Sequence, residues 1–339
     1  MPFIKQHPYI INTTIFGLAF LLSIALGSVF IPPDTILRLL LAPLINLPLD
    51  APTSYTTIIW QVRLPHTFLI TLTGAALASS GAAYQGLFRN PLADPYLIGV
   101  ASGAGLGAVL AMSYQWPQTP FGFYIIPFAA FCGALITVLI VYTLAYTPGR
   151  DATHSLILAG VAISSFATAL TSYLMLRSDE EMRRALGWLL GGALLGGWQP
   201  VITMLPYLTI GITALFLSTH ALNLLQFGEE QAHQLGLNVK RQQRIIILAA
   251  SLTTATAVAF TGIIGFIGLI VPHLTRILWG TDYRHLLPIA TIAGSTTLLL
   301  ADLIARIALA PQLLPVGIVT ALTGAPFFLW ILFSSQRTK

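Results

Sequence analysis

The sequence predicts an all-α protein that crosses a membrane about ten times. Three observations carry this. Only 8% of the 339 residues are charged and 56% are hydrophobic, whereas a soluble domain carries roughly a quarter charged residues to face water. The mean hydropathy is +0.82. The apolar residues are also gathered into runs near the roughly 20 that a helix needs to cross about 30 Å of hydrocarbon. Length alone would suggest about two soluble domains, but the unbroken succession of apolar runs predicts a single bundle, residues 1–339, with no second domain.

The elements follow in order. Ile10–Phe30 is the first span. Lys5 ahead of it fits a signal peptide, but the run is long and no small-residue cleavage site closes it, so it is read as an uncleaved span. Pro32-Pro33, Pro43, Pro48 and Pro52 keep the next stretch from continuing as one helix. Trp60–Gly86 is the second span, with small residues at Gly74, Ala75, Ala78, Ser79, Gly81 and Ala82 that let helix backbones approach closely in lipid. Pro95–Tyr114, Phe121–Tyr146 and Ser155–Leu176 are the third to fifth, and Val201–His220 the sixth. Gln242–Ile264 and Gly265–Trp279 are the seventh and eighth; the eighth is short, and Pro272 within it predicts a break or kink. Leu286–Leu309 and Val316–Phe333 complete the set. Five spans per half make the halves face opposite ways, as in inverted repeats.

Basic residues set the orientation. With the N-terminus inside, Lys5, Arg89, Arg150, Lys240, Arg241, Arg244, Arg276, Arg284, Arg337 and Lys339 are cytoplasmic. Arg38, Arg63, Arg177, Arg183, Arg184 and Arg306 are outside. The excess favours N-in and C-in. The net charge of +5 is spread without a basic run, which excludes a nucleic-acid grip. A single cysteine, Cys132, forms no intrachain disulfide. The seven histidines are scattered, and no metal-ligand spacing occurs. There is no phosphate loop, and Gly-Lys never occurs, so no ATP site of that type is present. No catalytic constellation is seen. The chain is predicted to be neither an enzyme nor a cofactor carrier.

Several polar motifs interrupt the apolar pattern. Arg63-Leu64-Pro65 opens the second span, and Gln85 with Arg89-Asn90-Pro91-Leu92-Ala93 closes it. Phe227–Val239 is the longest polar interruption of the second half, and it holds the run Gly228-Glu229-Glu230-Gln231-Ala232-His233-Gln234-Leu235-Gly236. A short helix with small and apolar residues at such a bend suits docking in a partner's groove. Thr261–Pro288 runs from apolar through His273, Arg276, Asp282, Arg284 and His285 and back to apolar. Asp302 and Arg306 lie one helical turn apart and can pair, which lowers the cost of about 2.5–3.5 kcal/mol for a charge within a span. Leu314-Pro315-Val316-Gly317 and Gly324-Ala325-Pro326-Phe327 mark the last span.

Together these motifs resemble those of the FecCD family, the permeases of bacterial ABC importers for iron chelates, haem and cobalamin. They cover the chain from about Trp60 to Phe333. The resemblance implies a multi-pass subunit of the bacterial inner membrane that works as a homodimer or paired with a paralogue, with the pathway at the subunit interface amid membrane lipid. Two ATPase subunits would dock on the cytoplasmic segment 221–240, through Gly228, Glu229, Glu230, Ala232, Leu235 and Gly236. The family spacing fits when counted from Glu230. An extracytoplasmic binding protein would meet Arg63, His66 and Arg306, although His66 stands where the family has Arg. Thr153 and His154 match the positions that narrow the cytoplasmic end of the pathway in cobalamin members. Gly191-Gly192 and Gly196-Gly197, flanked by Trp188 and Trp198, look like the family's re-entrant or interfacial segment. The commonest cargo of the family suggests an iron-siderophore, with haem or cobalamin as alternatives. An ion-coupled secondary transporter is the rival class. It would carry ionisable residues near mid-bilayer, and Asp302, toward one span end, is the sole acidic candidate.

Overall fold

The structure, a computed structural model, describes residues 7–336 except 28, 30, 46–52, 115–124, 146–151, 177–178, 193–194 and 311. The described residues form helices: α1 (Pro8–Ala25), α2 (Pro33–Ile45), α3 (Thr53–Thr57), α4 (Leu64–Leu87), α5 (Val100–Ser113), α6 (Ile125–Ala145), α7 (Ala152–Met175), α8 (Asp179–Leu189), α9 (Gln199–Leu217), α10 (Thr219–Leu225), α11 (Glu229–Gln234), α12 (Val239–Thr261), α13 (Ile267–Trp279), α14 (Tyr283–Ile307) and α15 (Val316–Gln336). A π-helical turn, Ile58–Arg63, joins α3 to α4, and a 3-10 turn, Pro95–Ile98, precedes α5. Seven of these helices are long and apolar enough to cross a membrane, and three shorter apolar helices, α5, α13 and α15, complete the expected ten.

Two helices form the core. α4 and α12 are 83% and 78% buried over their spanning windows, while α1 and α7 are only 22% buried. α4 packs against α14, α12 and α13. In lipid there is no hydrophobic drive between helices, so close contact and hydrogen bonds hold them together. A Cβ on Gly81 would stand 1.9 Å from the Gly268 carbonyl oxygen, so only glycine allows α13 to lie this close to α4. Across the α4–α12 seam, Thr254 donates to Ser80 Oγ at 2.8 Å, and the Tyr84 hydroxyl lies 2.8 Å from Ser251 Oγ. These hydroxyls are buried and paired, as groups cut off from water must be.

The halves repeat an order. The second and seventh spans, α4 and α12, are long and central, and each is followed by a short helix, α5 or α13. This agrees with a division into five plus five.

One local expectation changes. α13 runs unbroken through Pro272, and the break lies earlier, at Gly262–Phe266. Pro272 deprives the Gly268 carbonyl of its helical donor. Gln85 Nε2 stands 3.5 Å from that oxygen and donates to the Leu269 carbonyl at 3.0 Å. An outside donor thus serves the turn that proline weakens. The break itself is pinned by Tyr96, whose hydroxyl donates to the Ile264 carbonyl at 2.8 Å. Non-helical backbone at this depth survives only when buried in protein. The end of α8 supplies part of that cover, since a Cβ on Gly262 would stand 2.1 Å from the Trp188 carbonyl oxygen.

Candidate functional site

Three regions carry polar chemistry. The first is the face bearing Arg89, Lys240, Arg241, Arg276 and Arg284, cytoplasmic by the charge bias. There α9 ends and α10 and α11 turn back toward α12. Gly228, at φ 109°, makes the bend into α11. Ala232 is fully buried, its N–H bonded to the Gly228 carbonyl at 2.9 Å and its carbonyl to Leu237 N at 3.0 Å. Glu229 Oε1 accepts from Gln243 at 2.8 Å, which ties α11 to α12. Glu230 and Gly236 are exposed, and Phe227 and Leu235 are 65% and 63% exposed. The segment therefore divides. Ala232 lies inside the bend and Glu229, although exposed, ties it to α12, while Phe227, Glu230 and Leu235 face outward.

Behind this bend, Asn223 and Asp282 fasten α10 to α14. Asn223 Nδ2 donates to Asp282 Oδ1 at 2.6 Å, and Tyr283 N donates to Asn223 Oδ1 at 2.9 Å. Asp282 caps α14 by accepting from Arg284 N at 2.9 Å. That backbone bond, then the Asn223 bond, holds the Asp282 carboxyl below the usual carboxylate range.

The second region is the opposite, outer end, where Arg63, His66, Asp302 and Arg306 meet around the C-terminus of α1. Arg63 is 6% exposed. Its Nη1 donates to the carbonyls of Ile24 and Ala25, at 2.8 Å each, and its Nη2 donates to the Val29 carbonyl. Arg306 donates to the Ser23 carbonyl at 3.2 Å and to Ser23 Oγ at 2.9 Å. Its Nε lies 2.9 Å from Asp302 Oδ2, and His66 Nε2 lies 2.9 and 3.0 Å from the two Asp302 oxygens. Two guanidinium groups thus neutralise the carbonyl-rich, negative end of α1, and one buried carboxylate holds a histidine and an arginine together. Arg63, expected to meet a binding protein, has its guanidinium buried against its own chain. Arg306 and His66 are largely occupied in the same way.

The third region was missed in the sequence. Asp94, Tyr96 and Leu97 line one side of an open groove of about 740 Å³, and Val161, Ser164, Ser165, Thr168 and Ser172 of α7 line the other. Thr168 and Ser172 are exposed. The spacing of 164, 168 and 172, one helical turn each, was the available signal. The hydroxyls lie on a helix apolar enough to span a membrane. The gate candidates Thr153 and His154 lie in the first turn of α7, and their side chains fall outside the described residues. Among the described residues no cluster of three metal-ligating side chains occurs.

Residues 15–334 match the FecCD transport family. The chain belongs to the FecCD family. It is 39% identical over 336 residues to the uncharacterized ABC transporter permease protein YvrB of Bacillus subtilis (strain 168), across 98% of this chain and 95% of that one. It is 43% identical over 281 residues to the cobalamin import system permease protein BtuC of Halobacterium salinarum, across 83% and 74%. A solved structure described as a metal-chelate type ABC transporter, inward-facing, superposes with a TM-score of 0.81 at 29% identity, covering 97% of this chain and 99% of that one. This FecCD chain is therefore a multi-pass permease subunit of an ABC importer in the cytoplasmic membrane, not itself an enzyme.

Proposed function

We propose that this permease carries a corrinoid of the cobalamin class, as one undivided transmembrane domain, residues 1–339, with 221–240 as its ATPase-coupling segment. The observation that carries the proposal is the hydroxyl-lined groove on α7. Hydroxyls on a weakly buried span are costly against lipid but suit a water-filled path or a second subunit. A second copy of the chain would complete the pathway along this face. Its lining offers the hydroxyls of Ser164, Thr168 and Ser172 and one carboxylate, Asp94, while Ser165 donates to the Val161 carbonyl of its own helix at 2.9 Å. A large, amide-rich chelate suits such a wall. Anionic ferric siderophores and haem propionates would meet Asp94 as a like charge. The named relatives agree, since the archaeal relative is a cobalamin import permease and the Salmonella typhi relative, 41% identical, is a vitamin B12 import permease.

In this scheme two ATPase subunits dock against Phe227, Glu230 and Leu235, and a binding protein delivers cargo at the outer face. Thr153 and His154 narrow the inner end. Asp302, paired at the outer end, is unsuited to carrying coupling ions through mid-bilayer. The test is uptake into proteoliposomes holding the permease with ATPase and binding protein. Cyanocobalamin should accumulate only with ATP, and ionophores should not abolish uptake. Accumulation of a ferric siderophore or haem in its place would overturn the cargo assignment. Uptake driven by an ion gradient without ATP would overturn the coupling.

A further inference from the structure

We propose that a pocket of about 230 Å³ beside the coupling segment receives an acidic side chain of the ATPase subunit. This rests on the coupling reading above and adds a site that the family motifs did not assign. The pocket is lined by Gln85, Arg89, Gln226, Arg276 and Tyr283 together with Gly86 and Pro91. It thus holds two guanidinium groups and no carboxylate. Arg276 is fixed in the wall, its Nη1 donating to Gln85 Oε1 at 3.1 Å and its Nη2 to the Tyr283 hydroxyl at 2.9 Å. Both acceptors are neutral, and among the described residues no carboxylate pairs with its charge. Arg89, at the rim, is exposed. Its backbone has φ 49°, a left-handed conformation that is uncommon for any residue but glycine and concentrates at functional sites. The turn that imposes it is closed by Arg89 N to the Gly86 carbonyl at 3.3 Å and Asn90 N to the Gln85 carbonyl at 3.1 Å. Among the described residues, no hydrogen bond or ion pair engages the Arg89 guanidinium.

Two features select the occupant. One is charge, because planar guanidinium groups match carboxylates in geometry and sign. The other is continuity. A Cβ on Gly228, where the coupling bend begins, would lie 3.4 Å from Arg89 Nη1. A subunit seated on Phe227 and Leu235 therefore reaches this rim. The wall also leads inward. Gln85, which accepts from Arg276, donates to the Leu269 carbonyl at 3.0 Å in the first turn of α13, next to the break at Gly262–Phe266. An acid drawn to Arg89 and Arg276 would thereby bear on the broken helix in the bundle interior.

The test uses the full-length permease in nanodiscs and the ABC ATPase subunit that supports ATP-driven uptake with it. Affinity is measured against salt concentration for wild type, Arg89→Gly, Arg89→Lys and Leu235→Ala. Glycine adopts φ 49° freely, so Arg89→Gly removes the guanidinium without disturbing the turn. The expected result is an affinity loss of about tenfold or more for Arg89→Gly and a flatter salt dependence. Arg89→Lys should retain part of the affinity. Discs of pure phosphatidylcholine and discs with added phosphatidylglycerol separate the other candidate occupant, a lipid headgroup. If Arg89→Gly changes only the dependence on phosphatidylglycerol, or leaves ATPase affinity and its salt dependence unchanged while Leu235→Ala weakens binding, the acidic-side-chain assignment is wrong and the coupling segment stands. If wild type binds no ATPase, the coupling reading falls and this site with it.

Discussion

Replacing Arg63 separates two accounts of the outer cations. On sequence grounds Arg63 is a docking charge, and its loss should weaken only the encounter with a binding protein. In the structure it closes the end of α1. Arg63→Ala would remove donors from three carbonyls, those of Ile24, Ala25 and Val29. Hydrogen bonds to a charged group contribute about 1.5–3 kcal/mol each, but the three share one side chain and are not additive. The carbonyls of Ile24 and Ala25 belong to the last turn of α1, where water or Arg306 could serve them in part. A net loss of about 3 kcal/mol is reasonable, concentrated on the attachment of α1 to α4 and α14. At roughly 2 °C per kcal/mol for a chain this large, thermal unfolding of the purified permease should fall by about 6 °C, with no binding protein present. Labelling of a cysteine placed at Ser23, buried in the wild type, should rise as α1 loosens. Unchanged unfolding and labelling, with a loss seen only in binding-protein affinity, would refute the capping argument and restore the docking one.

Three further outcomes follow from the geometry. Gly81→Val places a side chain where even a Cβ would lie 1.9 Å from the Gly268 carbonyl oxygen. It should cost about 3 kcal/mol or more, read as loss of folded permease by size-exclusion in detergent, and wild-type yield and stability would contradict the packing. Ala232→Arg buries a guanidinium inside the α11 bend, so hydrogen exchange across residues 228–238 should speed up at least tenfold before any ATPase is added, and unchanged exchange would place Ala232 outside the fold. Asp282 is held below its ordinary value by its bonds to Arg284 N and Asn223, so its contribution is fully present above the unfolded carboxylate value of about 3.9 and is lost as pH falls through the lowered value. Thermal stability measured from pH 6 down toward about pH 2 should decline less for Asp282→Asn than for wild type, and parallel declines would remove Asp282 as a cause.

The class of molecule is legible in composition and run length. Composition and run length are one-dimensional properties, and the bilayer imposes a one-dimensional requirement: a span needs enough apolar residues in succession. That is why the apolar helices were legible and why the motifs bracketing α4 pointed to the FecCD family. What individual polar residues do depends on packing, because a charge reads the same in sequence whether it faces water or its own backbone. Arg63 and Ala232 both lie in family motifs, yet each is buried against its own chain. The break in the eighth span lies at Gly262–Phe266 rather than Pro272: Gln85, almost two hundred residues away, donates to the Leu269 carbonyl in the turn that proline weakens, while Tyr96 fastens the open backbone. The hydroxyl groove on α7 and the paired guanidinium groups of Arg89 and Arg276 arise where distant segments meet. Their partners are set by helix packing, which depends on close approaches such as Gly81 to Gly268, and no spacing along the chain encodes which glycine will face which.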